Sequence, residues 1–174
     1  MIQKKSVRPG HWGIFSSDFI PEGKELFSKD EWTEDEKEGW TMLTVEEILE
    51  LSPDRQELYL HFSYDLDFGC TIGTFDWKYA RHVSNFMNHS CNPNMAYGPH
   101  DTIVASRDIL PMEELTIDYG TFIVNFDQPF QCGCGVENCR HSILAEDWKK
   151  LAPLYGEQFP EFIVKRLRKN LLVG

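Results

Sequence analysis

The chain predicts a mostly β fold closed by helices at its C-terminal end, and three observations carry that expectation. Short apolar runs separated by Gly, Pro, Asn and Asp turn signals recur through most of the sequence. Helical periodicity gathers near the end, where Leu144, Trp148 and Leu151 share one face and residues 159–172 carry another. Three thiols crowd into Cys132-Gly-Cys134-Gly-Val-Glu-Asn-Cys139, a spacing that suits a loop wrapped around a metal. One domain accommodates 174 residues that are 41% hydrophobic, with twelve Phe and five Trp to fill a core.

Taken in order, residues 2–7, 13–16 and 24–27 read as strands, the last entered through the Pro21-Glu22-Gly23 turn. Residues 29–39 are acidic without hydrophobic period and read as a solvent-exposed segment. Thr44-Val-Glu-Glu47 is a capping box that opens a short helix through Leu51, which Pro53 and Asp54 end. Residues 58–64 and 70–75 read as further strands. Residues 78–87, apolar at Tyr79, Val83, Phe86 and Met87, fit one turn-rich helix. Strands return at 102–106 and 115–118.

Net charge is −11 with a pI near 4.9, which disfavours direct contact with nucleic acid and favours attraction of a basic peptide. No apolar run approaches the roughly 18 residues of a membrane span, and MIQKKSVRPG has no apolar region behind its basic residues. The expectation is a soluble, intracellular chain with no membrane partner, in nucleus or cytoplasm. Five cysteines is an odd number, which favours metal over disulfides in such a compartment. Zinc takes four tetrahedral ligands, so Cys132, Cys134 and Cys139 need a fourth. Cys91, at a turn before Pro93, is the preferred donor and His141 the lesser one. Cys70 is left over as an indifferent thiol. No G-x-S-x-G, P-loop or H-E-x-x-H is present, and Gly10-His-Trp-Gly13 is not a dinucleotide fingerprint.

Three segments together carry a family resemblance: Pro9-Gly-His-Trp-Gly-Ile-Phe15, Asn85-Phe-Met-Asn-His-Ser-Cys-Asn-Pro-Asn94 and Glu114-Leu-Thr-Ile-Asp-Tyr-Gly120. With the trailing thiols they resemble SET-domain protein-lysine methyltransferases that carry a post-SET zinc motif. The resemblance implies a SET β-clip of short sheets with a pseudoknot, over residues 1–127 with a variable insert at 28–60. It also implies a zinc-bound post-SET loop at 128–143 and a helical tail at 144–174. It assigns S-adenosylmethionine as cofactor and a structural zinc on Cys91, Cys132, Cys134 and Cys139. Trp12 and Gly13 would touch the cofactor through backbone, Asn88 and His89 would hold its amino-acid and adenine ends, and Tyr119 would stand at the methyl-transfer point as catalytic residue. Tyr64, in a Tyr-Asp-Leu segment, and Ile117 would line the lysine channel. His11 stands where a glycine is usual, Asn85 where arginine is frequent, and Ile117 where many members have Phe or Tyr. The implied partner is a lysine-containing, basic protein, histone or other, acted on by a protein-lysine N-methyltransferase. Two rival readings are a catalytically silent SET fold that binds a basic peptide and a zinc-dependent scaffold that forms a homodimer through its C-terminal helices.

Overall fold

The computed structural model describes residues 2–28, 31–128 and 131–171. Its strands are short and fall into four small sheets among the described residues. β1 (Ile2–Arg8) and β2 (His11–Ser16) form an antiparallel hairpin in which Lys4 faces Ile14 and Ser6 faces Trp12. β3 (Glu25–Phe27), β9 (Ile103–Ala105) and β8 (Met95–Tyr97) make a three-stranded sheet, with β9 central. β4 (Trp40–Thr44), β6 (Cys70–Thr74) and β5 (Ser63–Asp67) make another, with β6 central. The fourth sheet is a parallel pair of two residues each, β7 (Asn88–His89) beside β10 (Thr116–Ile117).

The helices follow local signals. α1 (Glu34–Lys37) and α2 (Val45–Glu50) each begin at a capping box, Thr33 with Glu36 and Thr44 with Glu47, which satisfy the open N–H groups of the first turn. α3 (Pro53–His61) starts with proline at its first position. α4 (Asp147–Tyr155) and α5 (Glu161–Leu171) end the described chain.

Most expected strands stand within a residue or two of their places, and the differences have physical causes. Pro53 does not only end α2; it opens α3, because a missing N–H costs nothing at the first helical turn. Residues 58–61 are therefore helical, and the strand expected at 58–64 begins only at Ser63. The acidic segment 29–39 contains α1, which has no buried residue and so shows no hydrophobic period; Lys29 and Asp30 lie outside the described residues. β4 escaped notice because its side chains are nowhere fully buried. Residues 78–87 are two separate 3₁₀ turns, Trp77–Tyr79 and Val83–Phe86, rather than one helix. Leu144 precedes α4, and Phe159, fully buried, precedes α5; Leu172 lies outside the described residues.

Three apolar clusters hold the elements. The main one joins Ile14, Phe27, Met95, Ile103, Ile109, Leu115, Ile117 and Phe122. A second packs Val124 against Trp148, Leu151, Phe159 and Ile163, with Phe68 edge-on to Trp148. The third surrounds Ile143 with Cys91 and Cys132. Buried Asp65 on β5 ties the segment after β10 to this frame, accepting from the backbone N–H groups of Val124 (2.6 Å) and Asn125 (3.0 Å) and from Thr71 Oγ1 (2.7 Å). No helix is long and apolar enough to cross a membrane among the described residues.

Candidate active site

The site begins at the crossing of β7 and β10. Parallel pairing sets Thr116 beside Asn88 and Ile117 beside His89, so the two motif segments run side by side although far apart in sequence. Asn94, 1% exposed, locks this arrangement: its Nδ2 donates to the Glu114 carbonyl (2.8 Å) and its Oδ1 accepts from Thr116 N (2.9 Å). A buried amide with both ends paired fixes register at little cost in stability.

Asn88 reaches the hairpin. Its Nδ2 donates to the Trp12 carbonyl (3.0 Å) and to Glu114 Oε1 (2.7 Å). Gly13 is dictated by this contact, since a Cβ there would lie 2.4 Å from Glu114 Oε1 and 2.9 Å from Asn88 Nδ2. Three of the residues expected at the cofactor, Trp12, Gly13 and Asn88, are thus brought together, and the close approach of bare backbone makes a cradle that a larger residue would fill.

His89 and Tyr119 meet on the other side. The Tyr119 backbone N–H donates to His89 Nδ1 (3.1 Å), which leaves the proton on Nε2, 3.3 Å from Cys91 Sγ. Burial holds the imidazole pKa down at about 4 against the pull of Asp118, so the ring is neutral at physiological pH. The imidazole is therefore committed within the protein. Tyr119 donates its hydroxyl to the Met87 carbonyl (2.7 Å), and its ring packs on His89 and Phe122 at 5.4 Å each. Burial, with Glu114 adding its charge, pushes the phenol up to about 12, so it stays protonated at physiological pH.

Tyr64 is half-buried against the main core and beside Trp32 and Trp40 (6.5 and 6.0 Å between ring centroids). Ile117 is 1% exposed within the same core. Phe122 links the two sides, lying 5.9 Å from Tyr97. Nothing at the level of residue type marks Phe122; its position three after Tyr119, in the turn that follows, is the only signal.

The four cysteine Sγ atoms of residues 91, 132, 134 and 139 all lie within 4.8 Å of one another. A tetrahedral ion with sulfur at about 2.3 Å sets ligands about 3.8 Å apart, and Cys91 and Cys132 stand at 4.0 Å. The donor set fits a closed thiolate site. His141 is exposed and outside the set, its Nδ1 3.9 Å from Cys139 Sγ. Burial raises the Cys134 thiol, but N–H donors and neighbouring thiols outweigh it and hold the group at about 6. Cys91 additionally accepts from Arg140 N (3.4 Å).

Sequence reasoning missed what joins this cluster to Tyr119. Arg140 grips Asp118 with two guanidinium nitrogens at 2.8 and 2.5 Å, and Tyr155 of α4 donates to the same carboxylate at 3.2 Å. Burial opposes the guanidinium charge, but Asp118 overcomes it and keeps the Arg140 pKa above its usual value. α4 presses so near that a Cβ on Gly120 would meet Asp147 Cβ and Leu151 Cδ1 at 3.0 Å.

The SET-domain family model matches residues 11–120. A histone-lysine N-methyltransferase SETMAR of Rattus norvegicus is 28% identical over 148 residues, covering 60% of this chain and 47% of its own. The histone-lysine N-methyltransferase SUV39H1-A of Danio rerio is 30% identical over 112 residues, covering 45% and 27%. The histone-lysine N-methyltransferase TRX1 of Oryza sativa subsp. japonica is 41% identical over 68 residues, covering 35% and 6%. The chain spans about half the length of the Rattus norvegicus and Mus musculus SETMAR relatives. With its family match covering β2, the crossing strands and Tyr119, this chain belongs to the SET-domain family.

Proposed function

We propose that the chain transfers methyl groups from S-adenosylmethionine to lysine ε-amines of a basic protein, histone or other. The observation that carries this reading is the β7–β10 crossing, which sets the Asn88–Trp12 corner and the Tyr119 hydroxyl on the two flanks of one short strand pair. The relatives' shared description as histone-lysine methyltransferases supports the reaction class.

When bound, S-adenosylmethionine supplies an electrophilic methyl group on a sulfonium. The backbone of Trp12 and Gly13, with Asn88 and the His89 strand, would hold the cofactor. Lysine must lose a proton first; at a reference pKa near 10.4, only about one in 2,500 is neutral at pH 7, a cost of roughly 4.6 kcal/mol. The apolar wall of Tyr64, Ile117 and Phe122 lowers that cost by disfavouring the charged amine. Tyr119, held protonated, orients the amine through its phenolic oxygen while its proton is engaged by Met87. Zinc on Cys91, Cys132, Cys134 and Cys139 is structural in this scheme, since all four tetrahedral positions are taken by thiolates. Excess negative charge draws the basic substrate.

Incubation with labelled S-adenosylmethionine and core histones, followed by mass spectrometry, tests the proposal. Label on a lysine side chain is the expected result. Cofactor binding without transfer to histones or to lysate protein would replace the enzyme with a silent peptide reader.

A further inference from the structure

Lys4 stands on β1 opposite Ile14, and its ammonium lies 3.2 Å from the Phe86 ring centroid and 4.9 Å from that of Trp12. Phe86 is two residues before Asn88, and Trp12 gives Asn88 its carbonyl, so the ammonium stands beside the residues that these motifs bring together. Arg140 is matched with Asp118, Lys78 with Asp76 and Arg81 with Asp35, whereas Lys5, opposite Gly13, lies against Met112 and Phe15. Lys4 has no carboxylate partner among the described residues, in a chain with 28 acidic against 17 basic residues. Partial desolvation against the two rings lowers its pKa. Beside Phe86, the Asn85 Nδ2 atom is buried with no acceptor.

Both unmet groups are donors, one of them charged, and their complement is an anion with spare acceptor capacity. A sulfonium-bearing amino acid attached to adenosine carries one such group, its α-carboxylate. We propose that Lys4 binds the α-carboxylate of S-adenosylmethionine, with Asn85 Nδ2 as the second donor, and is a cofactor-binding residue of this chain. The inference rests on the cofactor reading of Trp12, Gly13 and Asn88. The aromatic faces of Phe86 and Trp12 hold the ammonium in place before the ligand arrives, which reduces the ordering cost of binding.

Calorimetric titration of the full chain with S-adenosylmethionine and with decarboxylated S-adenosylmethionine separates this role from a latch between β1 and Phe86. Lys4→Gln should weaken S-adenosylmethionine about tenfold, the usual worth of a hydrogen bond to a charged group, and leave the decarboxylated ligand unchanged. Lys4→Arg should restore most of the loss. Equal weakening of both ligands, or of neither, overturns the proposal. A wild-type chain that binds neither ligand overturns the cofactor reading itself, and this inference with it. Thermal unfolding of the ligand-free variants, expected to match wild type because Lys4 is exposed, keeps a folding defect from imitating the result.

Discussion

Tyr119 places its N–H on His89 and its hydroxyl on Met87, and of these Tyr119→Phe removes only the second. Position is therefore kept by the first, and the variant should bind S-adenosylmethionine with near-native affinity while turnover falls on the order of 10²-fold. Calorimetry and initial rates measure the split; wild-type turnover would remove Tyr119 from the reaction centre. Gly13→Ala makes the opposite expectation. Its methyl meets the Asn88–Glu114 pair, so cofactor affinity should drop and stability fall by about 1–3 kcal/mol, read by calorimetry and urea denaturation. Ile117 has no hydroxyl to anchor a water, and exhaustively reacted substrate should carry di- or trimethyl-lysine by mass spectrometry; monomethyl product alone would place the restriction on another side chain, with Tyr64 and Tyr97 as candidates. At this scale the sequence was informative wherever residue type is dictated by chemistry, as in the thiols and the Asn-His pair. It was silent on Asp118, Arg140 and Tyr155, ordinary residues whose meaning comes only from meeting.

Elements were legible where a local rule decides them and obscure where burial does. Thr44 with Glu47 announced α2 because its capping box leads into apolar Ile48 and Leu49, whereas α1 has the same box, Thr33 with Glu36, but no apolar residue in the helix behind it, and β4 on the surface leaves no apolar period to read. α1 also changes what its charges mean. Glu34 pairs with Lys37, Asp35 with Arg81, and the Glu36 carboxylate accepts from the Thr33 backbone N–H, so all three carboxylates hold contacts within the chain. Steering of a basic substrate by this helix should appear as a KM that rises with salt, flattened in a Glu34→Gln, Asp35→Asn, Glu36→Gln variant. An unchanged slope would leave the helix as a solvated edge. The Arg140–Asp118 pair, which fastens the zinc loop to the Tyr119 strand, should be costlier to break. Arg140→Met leaves a 1%-exposed carboxylate without its cation and should cost about 3–5 kcal/mol by urea denaturation. A loss below about 1 kcal/mol, the scale of a surface pair, would show that water replaces the guanidinium there.

Across the whole molecule, the thiolate cluster and the crossing strands act as one body, because Cys91 receives both the His89 imidazole and the Arg140 backbone. Purified protein should therefore hold about one zinc per chain, as a closed site requires, and chelation should lower cofactor affinity and melting temperature together. Elemental analysis and thermal unfolding check this; a metal-free chain that stays folded and active would remove zinc from the architecture. The strand order of that body has a further consequence, in time rather than space. β7 and β10 have no partner in their sheet but each other, and the pair is only two residues long. So brief a ladder cannot close the long chain between its strands until the neighbouring sheets have already drawn both segments together. The crossing should then assemble after the sheets around it and be absent from the folding transition state. In stopped-flow measurements, S-adenosylmethionine should slow unfolding and leave the refolding rate untouched, the behaviour of a ligand that meets its site only after the barrier has been crossed.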